Sequence, residues 1–106
     1  MARLIWTEPA LTDLEETAEY ITLDKSSTAK KLVKNVFVSV KRLKQFPKSG
    51  KTPPELRNTD YLKVVVGPCR IFYRIDKNTL YILYFMRSER KLRLYILEDR
   101  SIMKGA

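Results

Sequence analysis

Hydrophobic positions recur along this chain with two different periods, and the switch between them sets out its elements. Residues 2–6 (Ala-Arg-Leu-Ile-Trp) read as a short first strand. Thr7 stands where it can cap a helix, with Glu8 and Pro9 in the first turn, where a carboxylate suits the dipole and a missing N–H costs little. Leu11, Leu14, Ala18 and Ile21 follow at helical spacing, and Asp13, Glu15, Glu16 and Glu19 fill the other positions. This predicts an amphipathic helix over residues 8–23. Ser26 and Ser27 offer a second N-cap. Ala29, Leu32, Val33, Val36, Phe37, Val40 and Leu43 then form one stripe at i, i+3, i+4, i+7 spacing. That helix stops before Pro47. The connection between the two helices is short, so they form an antiparallel hairpin.

Residues 47–60 read as a loop, with three of the five prolines and Gly50. Its Ser49-Gly50-Lys51-Thr52 is like the end of a phosphate-binding P-loop. That motif needs a glycine where Gln45 stands, and the strand–loop–helix context is missing, so nucleotide binding is not expected there. The period then changes to two. Strands are predicted over 61–66, 69–76 and 79–87, with turns at Gly67-Pro68 and Asp76-Lys77-Asn78. Cys69, Ile71, Tyr73 and Ile75 share one face of the middle strand, and Arg70, Phe72 and Arg74 the other. In the last strand Leu80, Ile82, Tyr84 and Met86 alternate with Tyr81, Leu83, Phe85 and Arg87. Both of its faces are apolar, which makes it a central, covered strand. The tail from Ser88 fits a short helix with Leu92, Ile96 and Asp99 on one side and Ser88 as cap. Leu92, Leu94 and Ile96 also alternate as a strand would. The helix is favoured.

Length and composition narrow the class. The 106 residues suit one compact domain over 1–106, and 44% hydrophobic residues with a mean hydropathy of −0.31 describe a globular chain. Cys69 is the only cysteine, so no intramolecular disulfide forms, which fits a reducing cytoplasm. The N-terminus lacks the apolar run of a signal peptide, and no stretch approaches the roughly 20 apolar residues that span a bilayer. A cytoplasmic protein with no membrane partner is expected.

Charge adds a direction. Lys and Arg number 21 against 12 Asp and Glu, a net +9. Residues 1–24 hold Glu8, Asp13, Glu15, Glu16, Glu19 and Asp24 against Arg3 alone, so the rest is strongly basic. Lys30, Lys31, Lys34, Lys41, Arg42 and Lys44 flank the stripe of the second helix, as a solvated face or a track for phosphates. Lys63, Arg70, Arg74, Arg87 and Arg90 run through the three strands. Together they make a positive surface suited to RNA or to an acidic partner. No helix-turn-helix or zinc-finger pattern points to direct reading of DNA sequence.

A strand, a helical hairpin and a three-stranded antiparallel meander make an α+β fold in one mostly antiparallel sheet, with a short C-terminal helix or strand. In that order the chain resembles the RelE/ParE superfamily of toxins from type II toxin–antitoxin systems. The resemblance covers nearly the whole chain. It rests on Trp6 ending the first strand, Ala10 and Asp13-Leu14 in the first helix, and Phe46-Pro47 followed by Gly50. It rests most on Arg70-Ile-Phe-Tyr-Arg-Ile75, with Cys69 in place of the usual tyrosine, and on Arg87-Ser-Glu-Arg90 after the closing strand.

The resemblance implies a small bacterial growth inhibitor neutralised by a cognate antitoxin, with no cofactor and no metal. It allows two modes. RelE-like members cleave mRNA in the ribosomal decoding site, and ParE-like members act on DNA gyrase. A metal-free ribonuclease must activate a 2′-hydroxyl, stabilise charge on phosphorus and protonate the leaving oxygen. The chain has no histidine for this; RelE-type members use lysines, arginines and a tyrosine. Carried over by position, Lys63 would act in proton transfer, Arg70 and Arg90 would hold the phosphate, and Tyr95, offset by one position, would stack on a base. Tyr61 stands where a companion lysine is expected. Lys48, Lys51, Arg74 and Arg87 are further candidates for binding nucleic acid or target. On the ParE-like reading, to which the long hairpin helices and their short connection belong, the arginines contact a protein. An alternative is an inactive basic module that reaches nucleic acid, operator DNA included, within its antitoxin complex. An acidic, partly disordered antitoxin that folds on binding suits the toxin's charge.

Overall fold

A computed structural model describes residues 2–56 and 59–103 of the chain. Their elements are β1 (Arg3–Trp6), α1 (Glu8–Thr22), α2 (Ser26–Gln45), β2 (Leu62–Val66), β3 (Cys69–Asp76), β4 (Thr79–Arg87) and α3 (Leu94–Met103). The sheet runs β1-β4-β3-β2; β1 lies parallel to β4 and the other pairs are antiparallel. This is the expected α+β architecture, with β4 inside the sheet. The loop before β2 contains 3₁₀ turns at Pro47–Ser49 and Pro54–Leu56; Arg57 and Asn58 of that loop lie outside the described residues. No helix among the described residues is long and apolar enough to cross a membrane.

Thr7 caps α1 and also fastens it to the sheet. Its hydroxyl accepts the Ala10 N–H at 3.4 Å and donates to the Ile82 carbonyl at 2.8 Å, while its own N–H reaches the same carbonyl at 3.1 Å. The second cap differs from expectation. Lys25 takes that position without a side-chain bond, and Ser26 already belongs to α2. The N–H groups of Leu23 and Lys25 both bond back to α1 carbonyls. Lys25 (φ −148°, ψ 110°) is thus the extended residue from which α2 departs, one step before either serine could cap it.

The hairpin covers one face of the sheet. Ala10, Leu14, Leu32, Val36, Val40 and Leu43 bury against Ile71, Tyr73, Leu80, Ile82 and Phe85. Leu11, expected on the buried side of α1, is 38% exposed, whereas Ala10 is fully buried; a methyl group lets the helix come close to the strands. Phe37 lies at the margin of the α2 stripe, its ring 5.6 Å from that of Trp6. On the opposite face Leu56, Tyr61 and Leu97 cover Phe72, Leu83 and Met86.

β4 does not alternate as its sequence suggests. Phe72 lies opposite Tyr84 and Tyr73 opposite Ile82, so Leu83 is an extra residue in the ladder, a β-bulge. Leu80 and Ile82 face the helices, as does Phe85. Tyr84 and Met86 lie with Leu83 on the other face. One inserted residue thus regroups every side chain after it. The tail forms the favoured helix, but from Leu94. Ser88 does not cap it: its N–H bonds to the Pro68 carbonyl at 2.8 Å, extending the β3–β4 ladder, and α3 buries Leu97 and Ser101 rather than Ile96 and Asp99.

Candidate functional site

β2 and β3 place Lys63, Val65, Arg70, Phe72 and Arg74 on the face that α3 partly covers, with Lys63 opposite Phe72 and Val65 opposite Arg70. The loop after α2 brings a second lysine there. Lys51 and Lys63 exchange both main-chain bonds, at 2.9 and 2.8 Å, so their side chains stand directly across from each other on one face. Tyr61, in the position expected for a lysine, is 8% exposed and packs in the core beneath this face.

The loop is held there by a buried hydroxyl. Tyr73 Oη accepts the Gly50 N–H at 2.9 Å and donates to the Pro47 carbonyl at 2.8 Å. A Cβ at position 50 would run into Tyr73 Oη and would lie 2.8 Å from the Lys63 carbonyl. Glycine is required because backbone and ring approach so closely. Burial pushes the Tyr73 hydroxyl up, with the Gly50 N–H acting against it, so the phenol stays protonated and can donate.

Arg70 is largely enclosed. Its side chain is 12% exposed. One terminal nitrogen meets Glu55 Oε2 at 3.2 Å; the other donates to the Arg90 carbonyl at 2.7 Å and lies 3.8 Å from Met86 Sδ. The guanidinium carbon sits 5.4 Å from the centre of the Phe72 ring. Main-chain hydrogen bonding at Glu55 lowers its carboxyl below the ordinary range; partial burial opposes this and the Arg70 guanidinium adds to it. Arg70 Nε is buried with no partner among the described residues.

The remaining candidates separate. Arg74 shares the Arg70 face but is engaged under α3, with Ser101 Oγ at 2.8 Å and Asp60 at 3.3 Å. Arg87 lies on the helix side, 4.2 Å over the Tyr20 ring and 3.3 Å from Glu89. Lys48 lines a notch at the opposite end of β3 from Arg70, beside Ile75 and Lys77. The Arg90 side chain is exposed, and Tyr95 on α3 is 61% exposed. Thus Lys51, Lys63, Arg70 and the Arg90 main chain come together, while Lys48 and Arg87 do not join them.

A further pair was invisible to periodicity. Asp13 on α1 and Arg100 on α3 form a two-pronged ion pair at 2.5 and 3.2 Å, with side chains 16% and 17% exposed. Asp13 also accepts the Phe85 N–H at 3.0 Å, and Arg100 donates to the Leu83 carbonyl at 3.1 Å while stacking 4.3 Å over Tyr84. The reason lies in β1, which ends at Trp6 opposite Ile82. Beyond that point no strand among the described residues flanks β4 on this side, and the pair supplies the missing donor and acceptor. Asp13 is therefore not one of the solvated carboxylates of α1. Its place three residues after Ala10 and beside Leu14, on the shoulder of the apolar stripe, was the available signal.

Comparisons with known proteins agree on the kind of molecule. The family model described as ParE toxin of type II toxin-antitoxin system, parDE, matches residues 4–92. A candidate toxin of Sinorhizobium fredii (strain NBRC 101917 / NGR234), Y4kP, is 33% identical over 76 residues, covering 72% of this chain and 78% of that protein. A solved structure of the chromosomal ParDE TA system from P. aeruginosa contains a chain that matches with a TM-score of 0.70 at 26% identity, covering 84% of this chain and 98% of the other.

Proposed function

The chain belongs to the ParE toxin family of type II toxin–antitoxin systems, and from that membership we propose that it arrests growth as a protein inhibitor of DNA gyrase, without cutting RNA, and that a cognate antitoxin neutralises it. The observation that carries the choice of mechanism is the internal engagement of Arg70. A phosphate-holding arginine must offer its donors to the substrate. Here both terminal nitrogens are engaged, with Glu55 and with the Arg90 carbonyl. Tyr61 adds to this, since its buried ring occupies the position where ribonuclease members of the superfamily carry a second lysine. Gyrase is the target that resemblance to the ParE branch brings with it. The test is a supercoiling assay with purified gyrase, run beside an assay for cleavage of ribosome-bound mRNA. Blocked supercoiling with intact mRNA is the expected result.

One observation favours the ribonuclease mode as a second reading. Like charges directly opposite on a sheet are unfavourable, and Lys51 opposite Lys63 is such a pair. A phosphate between them would relieve the repulsion. On that reading Lys51→Ala and Lys63→Ala abolish mRNA cleavage; on the gyrase reading neither variant has a cleavage activity to lose.

A further inference from the structure

At the end of the molecule away from Arg70 lies a notch of about 520 Å³. Ala2, Phe46, Pro47 and Ile75 give it an apolar lining, and Lys48 and Lys77 join them. We propose that this notch docks an acidic segment of a protein partner, which inserts one aromatic or aliphatic side chain and sets carboxylates against the two lysines.

The lining calls for an apolar group. Phe46 follows the last residue of α2 and is 59% exposed, although its neighbours in the notch are apolar. A large aromatic left open beside a concave apolar surface gains most from a partner that covers it. The charge calls for acid. Neither lysine enters any ion pair seen among the described residues, and the chain carries a net +9. A second copy of this chain would bring the same excess to the same place, which disfavours self-association. A nucleic acid would satisfy the lysines but leave the lining wet.

Two features show that the notch is built rather than incidental. Its walls are tied by main-chain bonds: Ala2 N–H to Lys44 carbonyl at 3.0 Å, Arg3 N–H to Asn78 carbonyl at 2.8 Å, and Ser49 N–H to Phe46 carbonyl at 3.0 Å. Tyr73 holds its floor through the Pro47 carbonyl. A surface preorganised in this way loses little entropy on binding. The second feature is Lys77, which has φ +58° in the hairpin between β3 and β4. A left-handed lysine is strained where glycine would be relaxed, and such strain concentrates at ligand-contacting positions. It places at the notch a cation that no carboxylate among the described residues pairs. The proposal does not depend on which target the toxin inhibits.

The test is an NMR titration of the ¹⁵N-labelled full chain with two synthetic peptides that share a central Phe-Leu anchor, one flanked by Glu and Asp, the other by Lys. A single-stranded oligonucleotide is the third probe. The acidic peptide should shift the amides of Phe46, Ser49, Ile75, Lys77 and Asn78. Phe46→Ser should abolish binding with Tm unchanged, since the ring is exposed. Lys48→Glu with Lys77→Glu should weaken it by roughly tenfold or more, as loss of paired charge at an interface does. Lys77→Gly should raise Tm and yet weaken the peptide, a combination that a purely structural role for Lys77 does not give. The proposal is overturned if no peptide binds, if the lysine-flanked peptide binds equally, or if the shifts fall at Lys51 and Lys63. It is also overturned if the oligonucleotide displaces the peptide, or if the notch amides shift with protein concentration alone.

Discussion

Arg70 donates to the main-chain carbonyl of Arg90 at 2.7 Å, so one of the two cations that a phosphate-binding site would need is turned onto the backbone of the other, whose own side chain stays exposed. The other arm of Arg70 meets Glu55. The guanidinium therefore braces three segments: the 3₁₀ turn at Pro54–Leu56, β3, and the chain leaving β4. Arg70→Ala should lower stability by about 1–2 kcal/mol through lost charge-assisted bonds, seen as a reduced urea midpoint with an unchanged slope. Glu55→Gln should reproduce part of this loss. A variant as stable as wild type would show that Arg70 does not brace the fold.

Asp13 and Arg100 behave as a unit. Arg100→Met leaves a mostly buried carboxylate with the Phe85 N–H as its remaining donor among the described residues, and should cost about 3 kcal/mol. Asp13→Asn keeps an acceptor for Phe85 and should cost less. Because the two side chains contact each other and share β4, the double variant should fall short of the sum by about 2 kcal/mol. Strict additivity would contradict the clasp.

A different coupling joins Gly50 to Tyr73. Gly50→Ala forces a methyl into the phenol and toward the Lys63 carbonyl, and should destabilise by about 2–3 kcal/mol. Tyr73→Phe strands the Gly50 N–H and the Pro47 carbonyl and should cost about 1–3 kcal/mol. Combined, the second change removes the first's closest clash, so denaturant unfolding should show a double variant less damaged than the two costs together.

These relationships explain how far the linear pattern could be read. Both helices of the hairpin, the four strands and the central place of β4 were legible because burial on a helix or strand imposes a period. The bulge at Leu83 was not, since Leu83 and Tyr84 both suit a strand and an inserted residue leaves no compositional mark. Asp13 and Arg100 lie 87 positions apart, and nothing local joins them. Lys51 was legible as a basic loop residue, but its place opposite Lys63 depends on the Tyr73 hydroxyl. Arg70 was found by its strand, whereas its enclosure depends on Glu55 and on the chain after β4.

Alkaline pH should expose the burial of Cys69. Burial is the main cause that raises its thiol from 9.0 to about 11, with Glu89 adding and Arg87 opposing. The unfolded thiol ionises first, so the contribution is complete below pH 9 and is lost as pH rises to about 11, up to roughly 2–3 kcal/mol. Tyr73, also raised, adds to the fall in the same direction. Cys69→Ala should flatten the stability profile over that window, and the wild-type thiol should resist alkylation at neutral pH. Rapid alkylation of the folded chain would contradict its burial.

The most direct measurement places purified chain in two assays, gyrase supercoiling and cleavage of ribosome-bound mRNA, with wild type and Arg70→Ala compared at equal folded concentration. A gyrase inhibitor that does not cut RNA requires that both proteins block supercoiling and that neither cleaves the message. Uninhibited gyrase, with mRNA cleaved by the wild type and spared by Arg70→Ala, would contradict the proposal.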